Sequence, residues 1–328
     1  MSRPDRRRVL ELCAGGTAAL AAPSLAWSQD RFPSKPVTLL VPQPPGGGAD
    51  VFCRTLQPQM QEFLGQPIVI DNKGGAAGNI GTALGARAAP DGYTLTFVNQ
   101  GTMTINPHLY PDPGYRVEQF VPVSLLASVD LVICAHPTVK AHNLQELLAV
   151  ARQSPGKLNY ASAGNGSANH LAGELLKSMA KVFITHIPYR GGGPATTAVL
   201  GGEVELTVAF PQAVVALVKT GKLKALAVTG AQRSAALPEV PTVAESGVTG
   251  YEFSSWFGFA LPKGTPEAIV SRVREASLHA LKTPANVEKL KATMTRPIGT
   301  GQREFADLIA RESAQWAQLI KQVGIKLD

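Results

Sequence analysis

Residues 36–70 read PVTLLVPQPPGGGADVFCRTLQPQMQEFLGQPIVI, and this stretch decides the fold. PVTLLVP (36–42) is an apolar run of strand length. Gly46-Gly47-Gly48 breaks it, and a helical pattern runs from Asp50 to about Leu64, where Gly65 stops it. QPIVI (66–70) is the next strand. Working outward, GGAAGNIG (74–81) leads into a second helix and YTLTFV (93–98) is a third strand. This order of strands, loops and helices predicts a parallel sheet with helices on both faces.

The stretch 117–135 then runs long and extended, and the alternation restarts after it. NLQELLAVARQ (143–153) is a helix with Asn143 as N-cap. LNYAS (158–162) precedes a glycine-rich loop and a helix from about Ser167. VFITHIPY (182–189) precedes another such loop and a helix opening at Pro194. VELTVAF (204–210) precedes PQAVVALVKTG, whose Pro211 suits the first helical position. LKALAVTG (223–230) closes the set. A second long β-rich run, YEFSSWFGFALP (251–262), leads to amphipathic helices over 265–282 and 301–324. This pattern predicts two α/β lobes, one from 29–128 with 257–328 and one inserted at 129–256. The two extended runs are the crossings, and two crossings let lobes close on a ligand like a hinge.

The chain has 328 residues, 45% of them hydrophobic and 17% charged, which excludes wholesale disorder. The formal net charge is +7, but the basic residues are spread out and aromatics are only 6%, which argues against a nucleic-acid partner. Arg6, Arg7 and Arg8 precede the apolar, small-residue run LELCAGGTAALAAPSLA (10–26), and Ala26-Trp27-Ser28 resembles a cleavage site. Residues 1–28 are therefore expected to be an export signal. The consecutive arginines resemble a twin-arginine signal. The expected location is the periplasm, and the mature chain is expected to be soluble and monomeric. Its two cysteines, Cys53 and Cys134, are expected to be buried thiols rather than a bridge.

G-x-S-x-G, Walker A, H-E-x-x-H and C-x-x-C motifs are all missing, and the six histidines lack metal-ligand spacing. No metal and no cofactor are expected. Three strand-to-helix loops of one type stand out instead: PQPPGGGAD (42–50), SAGNGSANH (162–170) and YRGGGPA (189–195). In open α/β sheets, ligands bind outside the carboxyl ends of the strands, where such loops sit. Glycine lets backbone approach a ligand, and the free N–H groups of the first helical turn favour an anion. The candidate binding residues are Gly46, Gly47, Gly48, Ala49 and Asp50 in the first loop and Ser162, Ala163, Gly164, Asn165, Gly166, Ser167 and His170 in the second. Tyr189, Arg190 and Phe210 complete the set. Each has a plainer reading: glycine turns for tight connections, Asp50 and Ser167 as helix caps, His170 as a structural histidine, and Phe210 and Trp256 as core aromatics. Arg190 could clamp a carboxylate or pair with an acidic neighbour.

On PSKPVTLLVPQPPGGGAD, LGQPIVIDNKGGAAGNIGT, APDGYTL, PGKLNYASAGNGS, HIPYRGGGPA, GKLKALAVTG, LPEVPTVAESGV and WFGFALPKGTP, the sequence resembles the Bug (TctC-like) family. These are the periplasmic substrate-binding receptors of tripartite tricarboxylate transporters. The resemblance covers nearly the whole mature chain. It implies the two-lobed fold of type II periplasmic binding proteins with the ligand cleft between the lobes. It also implies a carboxylate held between Gly46–Asp50 and Ser162–Ser167, partly through water, and delivery to membrane transporter subunits. Where family members often carry acidic residues, this chain has Ala198 and the apolar surroundings of Phe210. That departure implies a ligand without an ammonium group, an aromatic or otherwise less polar carboxylate. Two other readings stand beside this one: a receptor that presents its ligand to a membrane sensor kinase, and a secreted hydrolase with an unrecognised site.

Overall fold

The computed structural model describes residues 32–323. The expected export signal lies outside them. In chain order the strands and helices are β1 (Val37–Val41), α1 (Gly48–Leu64), β2 (Ile68–Asn72), α2 (Asn79–Ala86) and β3 (Thr94–Asn99). A π-helical turn (Gly101–Ile105) then runs into the short helix α3 (Asn106–Leu109). There follow β4 (Phe120–Asp130), β5 (Val132–Ala135), α4 (Leu144–Gln153), β6 (Asn159–Ser162), α5 (Ala168–Ala180), β7 (Thr185–Pro188), α6 (Gly192–Leu200), β8 (Leu206–Ala209), α7 (Pro211–Lys219) and β9 (Lys224–Val228). The chain ends with β10 (Ser254–Pro262), α8 (Glu267–Lys282), α9 (Pro284–Ala292), β11 (Thr295–Pro297) and α10 (Gln302–Val323).

The strands form two sheets, one of six in the order β11-β4-β10-β3-β1-β2 and one of five in the order β7-β6-β8-β5-β9. The expected parallel pairing holds for β2-β1-β3 and for β7-β6-β8. It fails for β10, which runs antiparallel to β3 and β4, and for β5, which runs antiparallel to β8 and β9. The cause is topological. The chain leaves the first sheet at the end of β4 and enters the second as β5. It returns from β9 into β10. A strand entering from the edge where its neighbours finish must run against them. The reversed short strand β11 and the helix α9 had no counterpart in the sequence pattern, and neither did the segment 101–109.

Several start signals work as expected. The Asn143 side chain accepts the Glu146 N–H at 2.9 Å, Ser167 caps α5, and Pro211 opens α7. Two starts move. α1 begins at Gly48 rather than Asp50, and α6 begins at Gly192 rather than Pro194. β1 is buried along most of its length because helices cover both faces of its sheet, which explains its unbroken apolar run. Phe52 of α1 packs on Phe97 and Phe257, with ring centroids 6.4 and 5.2 Å away. Cys53 and Cys134 are free and buried, and burial raises the thiol pKa of each. Trp256 packs edge-on against Phe305 at 5.2 Å, and its indole N–H donates to Glu312 at 2.8 Å, so it is a core residue.

The crossings are tied at one residue. The Thr229 hydroxyl accepts the Leu131 N–H at 2.7 Å and donates to the Phe253 carbonyl at 2.7 Å. The Thr229 backbone pairs with the same two residues, at 2.9 Å to the Leu131 carbonyl and 2.8 Å from the Phe253 N–H. Thr229 is fully buried. Thr229→Val keeps the shape and strands two buried backbone groups, at about 1–3 kcal/mol each. Its urea midpoint should fall accordingly, and Thr229→Ser should recover most of the loss. An unchanged midpoint for the valine variant would show that the hydroxyl carries nothing.

Candidate functional site

The first loop joins β1 to α1. The N-cap of α1 is Gly47, in an extended conformation (φ −77°, ψ 167°) and without a side-chain cap. Asp50 therefore lies within the first turn and reaches back. Its carboxylate accepts the Gly46 N–H at 3.0 Å, the Arg54 Nε–H at 3.0 Å and the Asn72 Nδ2–H at 3.1 Å. Burial pushes the Asp50 pKa up, but the hydrogen bonds from Arg54, Gly46 and Asn72 outweigh it, and the pKa lies below its usual value. With every oxygen engaged, Asp50 shapes the loop from below. It is not the N-cap that the sequence suggested.

The second loop joins β6 to α5. The Ser167 hydroxyl accepts the His170 N–H at 3.2 Å. The Ser162 hydroxyl accepts the Gly164 N–H at 3.1 Å and lies 2.6 Å from His186 Nε2. His170 Nδ1 accepts the Gly166 N–H at 3.1 Å. The amides of Gly46, Gly164 and Gly166 are thus satisfied within their own loops. The first-turn amides of α1 and α5, at Gly48 and Ala49 and at Ala168 and Asn169, have no intrahelical acceptors. These N-termini carry partial positive charge, which suits an anion without Arg or Lys.

Each loop is covered by the opposite lobe. Gly48 sits against the β8–α7 connection: a Cβ on it would lie 2.6 Å from Phe210 Cβ and 3.1 Å from Gln212 Oε1. Gly191 and Gly193 meet Pro44 and Pro45, and hypothetical Cβ atoms there would lie 2.2 Å from Pro44 Cγ and 3.0 Å from the Pro45 carbonyl. The second loop meets the segment after β3. A Cβ on Gly166 would lie 2.6 Å from Asn106 Oδ1 and 2.9 Å from Leu109 Cδ2. The Tyr110 hydroxyl donates to the Asn165 carbonyl at 2.6 Å, a direct bond between lobes. Phe210 is half-buried in this seam, 5.1 Å from the Phe257 ring, and packs against the cores of both lobes.

Two cavities border the contact between Pro44–Gly46 and Gly191–Gly193. One, of about 790 Å³, is lined by Pro45, Gly46, Tyr189, Ala198, Ala213 and Leu217 among others. The other, of about 580 Å³, includes Pro44, Asn72, Gly75, Ile80 and Arg190. The Tyr189 hydroxyl donates to Glu203 at 3.3 Å. Arg190 is exposed at the mouth. Ala198 is nearly buried among Ala195, Val199 and Val204 and contributes no polar group.

Sequence reasoning missed two contributors. The turn Gly75–Asn79 carries positive φ at Gly75 and Gly78 (124° and 96°), and its glycine run was a signal of the same kind as the other three. Asn106 and Tyr110 follow a π-helical turn that starts at Gly101, and no apolar periodicity marks it. Three side-chain atoms beside the seam, Asn79 Nδ2, Asn106 Oδ1 and Asn165 Oδ1, are buried without a hydrogen-bond partner among the described residues. Buried polar atoms of this kind call for a polar guest or water.

The geometry suits binding better than bond-breaking. Ser162 and His186 touch, yet Ser162 is fully buried. Burial, then the neighbouring His170 and Lys177, push the His186 pKa down to about 3, which makes it a poor general base. Among the described residues no cluster of His, Cys, Asp and Glu could hold a metal, and no helix is long and apolar enough to cross a membrane.

Comparison with known proteins places these features in company. Residues 52–325 match the family described as tripartite tricarboxylate transporter family receptor, TctC. The structure of the periplasmic binding protein BugD is 34% identical, with a TM-score of 0.87 over 90% of this chain and 99% of that one. Rpa4515 of R. palustris, solved with adipate, is 34% identical (TM-score 0.86, 90% and 99% covered). MatC of Rhodopseudomonas palustris, solved with malate, is 33% identical (TM-score 0.82, 88% and 100% covered).

Proposed function

The chain belongs to the tripartite tricarboxylate transporter receptor family, and from that premise we propose that it captures a small carboxylate in the periplasm and hands it to the membrane subunits of a transporter. The observation that carries this reading is that the loops opening α1 and α5 each pack against segments of the other sheet's lobe, Gly48 against Phe210 and Gln212 and Gly166 against Asn106 and Leu109. Adipate and malate, the ligands of the two solved relatives, share the chemistry such a seam would hold.

Closure is the working step in this reading. The lobes built on the six-stranded and the five-stranded sheets would swing about Leu131, Thr229 and Phe253, which lie between β4 and β5 and between β9 and β10. A ligand bonded to both loops stabilises the closed form only by its differential affinity for it. The closed surface, built from both lobes, is what the transporter would recognise. In the cavity beside Gly46, Ala198, Ala213 and Leu217 line an apolar side, and the one carboxylate, Glu203, accepts the Tyr189 hydroxyl. We therefore assign the ligand an apolar or aromatic body rather than an ammonium group.

A thermal-shift screen tests this. The panel holds citrate, C4 to C6 dicarboxylates, benzoate-type acids, glutamate and aspartate. A ligand at 1,000 times its Kd should stabilise by about 4 kcal/mol, a shift of several degrees in a chain of this size. A response to carboxylates lacking an ammonium group is expected. A larger response to glutamate or aspartate would overturn the ligand assignment, and a neutral sugar or amine as the best ligand would overturn the carboxylate reading itself.

A further inference from the structure

We propose that His186 is a positioning residue for ligand capture: it fixes the Ser162 hydroxyl and, through it, holds the 162–167 loop in the conformation that presents the N-terminus of α5 to the ligand. This inference rests on the reading that the loop meets the ligand carboxylate.

The parallel pairing of β6 with β7 sets Tyr160 beside His186, and the rings lie 4.9 Å apart. Two residues on, Ser162 comes within 2.6 Å of His186 Nε2. His186 also stacks on His170, with centroids 4.2 Å apart and planes 28° from parallel. The stacked pair therefore grips the loop at both ends. His186 holds Ser162, which holds the Gly164 amide, and His170 holds the Gly166 amide. Gly164 and Gly166 have φ of 116° and 83°, a left-handed backbone that must be held by bonds of this kind. Across the seam, Asn165 between them receives the Tyr110 hydroxyl. A loop that shifted would lose that bond and displace the first-turn amides of α5.

The protonation state is part of the device. A neutral imidazole serves in either tautomer: Nε2 accepts the Ser162 O–H, or Nε2–H donates to Oγ and the O–H turns to the Gly164 carbonyl 3.3 Å away, and in both Oγ keeps a lone pair for the Gly164 N–H. Tyr160, His170, Glu174 and Lys177 are the titratable groups around His186. Tyr160 and Lys177 both bond the Glu174 carboxylate, at 2.7 and 2.6 Å. Burial, His170 and Lys177 hold the His186 pKa below its unfolded value of 6.5, at about 3. Its contribution is therefore complete above 6.5 and is lost as pH falls from there towards 3.

The test uses the purified chain, His186→Phe and His186→Gln, with Ser162→Ala as a second route that removes only the hydroxyl. Phenylalanine keeps the ring stack and removes the hydrogen bond, while glutamine places a polar atom near the position of Nε2. Amide exchange across 160–172 is measured without ligand, and affinity is measured with adipate, malate and benzoate. His186→Phe and Ser162→Ala should speed exchange at Gly164 and Gly166 about tenfold and weaken binding by a similar factor, while leaving the melting temperature nearly unchanged. His186→Gln should restore both. Unchanged exchange, or faster exchange with unaltered affinity, would overturn the proposal. Failure of the glutamine to rescue would overturn the hydrogen-bond route. A native chain that binds no carboxylate would instead overturn the proposed function, while the exchange arm would still report on the loop.

Discussion

Gly48→Ala is expected to lower ligand affinity about a hundredfold or more without unfolding the chain. Gly48 is the first residue of α1, and alanine is a better helix former than glycine by roughly 1 kcal/mol, so the first lobe gains locally. The cost arises only when the lobes meet. The new Cβ would lie 2.6 Å from Phe210 Cβ and 3.0 Å from Phe210 Cγ, a separation real Cβ atoms do not adopt. Lobe 2 would have to stand off, and affinity falls with the fraction of the chain that can close. Gly47→Ala is the control. Its φ of −77° suits any residue, and its Cβ would meet only the Pro44 carbonyl at 3.6 Å and Gly193 N at 3.8 Å. That variant should bind within a few-fold of the native chain. Titration calorimetry would measure both affinities, and small-angle scattering would show the alanine at 48 holding the lobes apart. Equal affinity for the two variants would mean that the seam at Phe210 does not close on the ligand.

Asp50→Ala should be the most damaging change to the first loop. It removes the shared acceptor of Gly46, Arg54 and Asn72 in a position that is 3% exposed. The Gly46 amide and the Asn72 amide then lose a buried partner. The expected loss is about 3 kcal/mol, which lowers the melting temperature by roughly 5–10 °C in a chain of this length. Affinity should fall with it, since the loop that presents the α1 N-terminus is no longer held. Asp50→Asn keeps an acceptor for Gly46 and should cost less. The pH dependence has a definite sign. The folded pKa of Asp50 lies below the unfolded 3.8, so its contribution is present above 3.8 and disappears as pH falls below it. The native chain should therefore show an acid limb below about pH 4 that Asp50→Ala lacks. An identical acid limb in the variant would assign the limb to other carboxylates.

The loops themselves were legible because their signals are local. A buried strand is followed at once by glycines and a helix start within nine residues, at 42–50 and again at 162–170. What the side chains do there was not legible. The sequence suggested Asp50 as a helix cap, but α1 begins two residues earlier and turns its carboxylate back onto Gly46 and across to Asn72 of β2. Ser162 and His170 read as groups that could face a ligand. Their partners include His186, a residue 24 positions beyond Ser162 that no local pattern connects to it.

The alternation of strands and helices, the three glycine loops and the family resemblance were readable in the order of residues alone. Those rest on periodicity and on residues adjacent in the chain, where backbone preference and apolar spacing act directly. The direction of β5 and β10, the part played by Asn106 and Tyr110, and the partners of the Gly46, Gly164 and Gly166 amides came from the packed chain. Each of these depends on a neighbour brought from a distant segment. A hydrogen bond or a steric contact is made in space, and the spacing of residues along the chain carries no record of it.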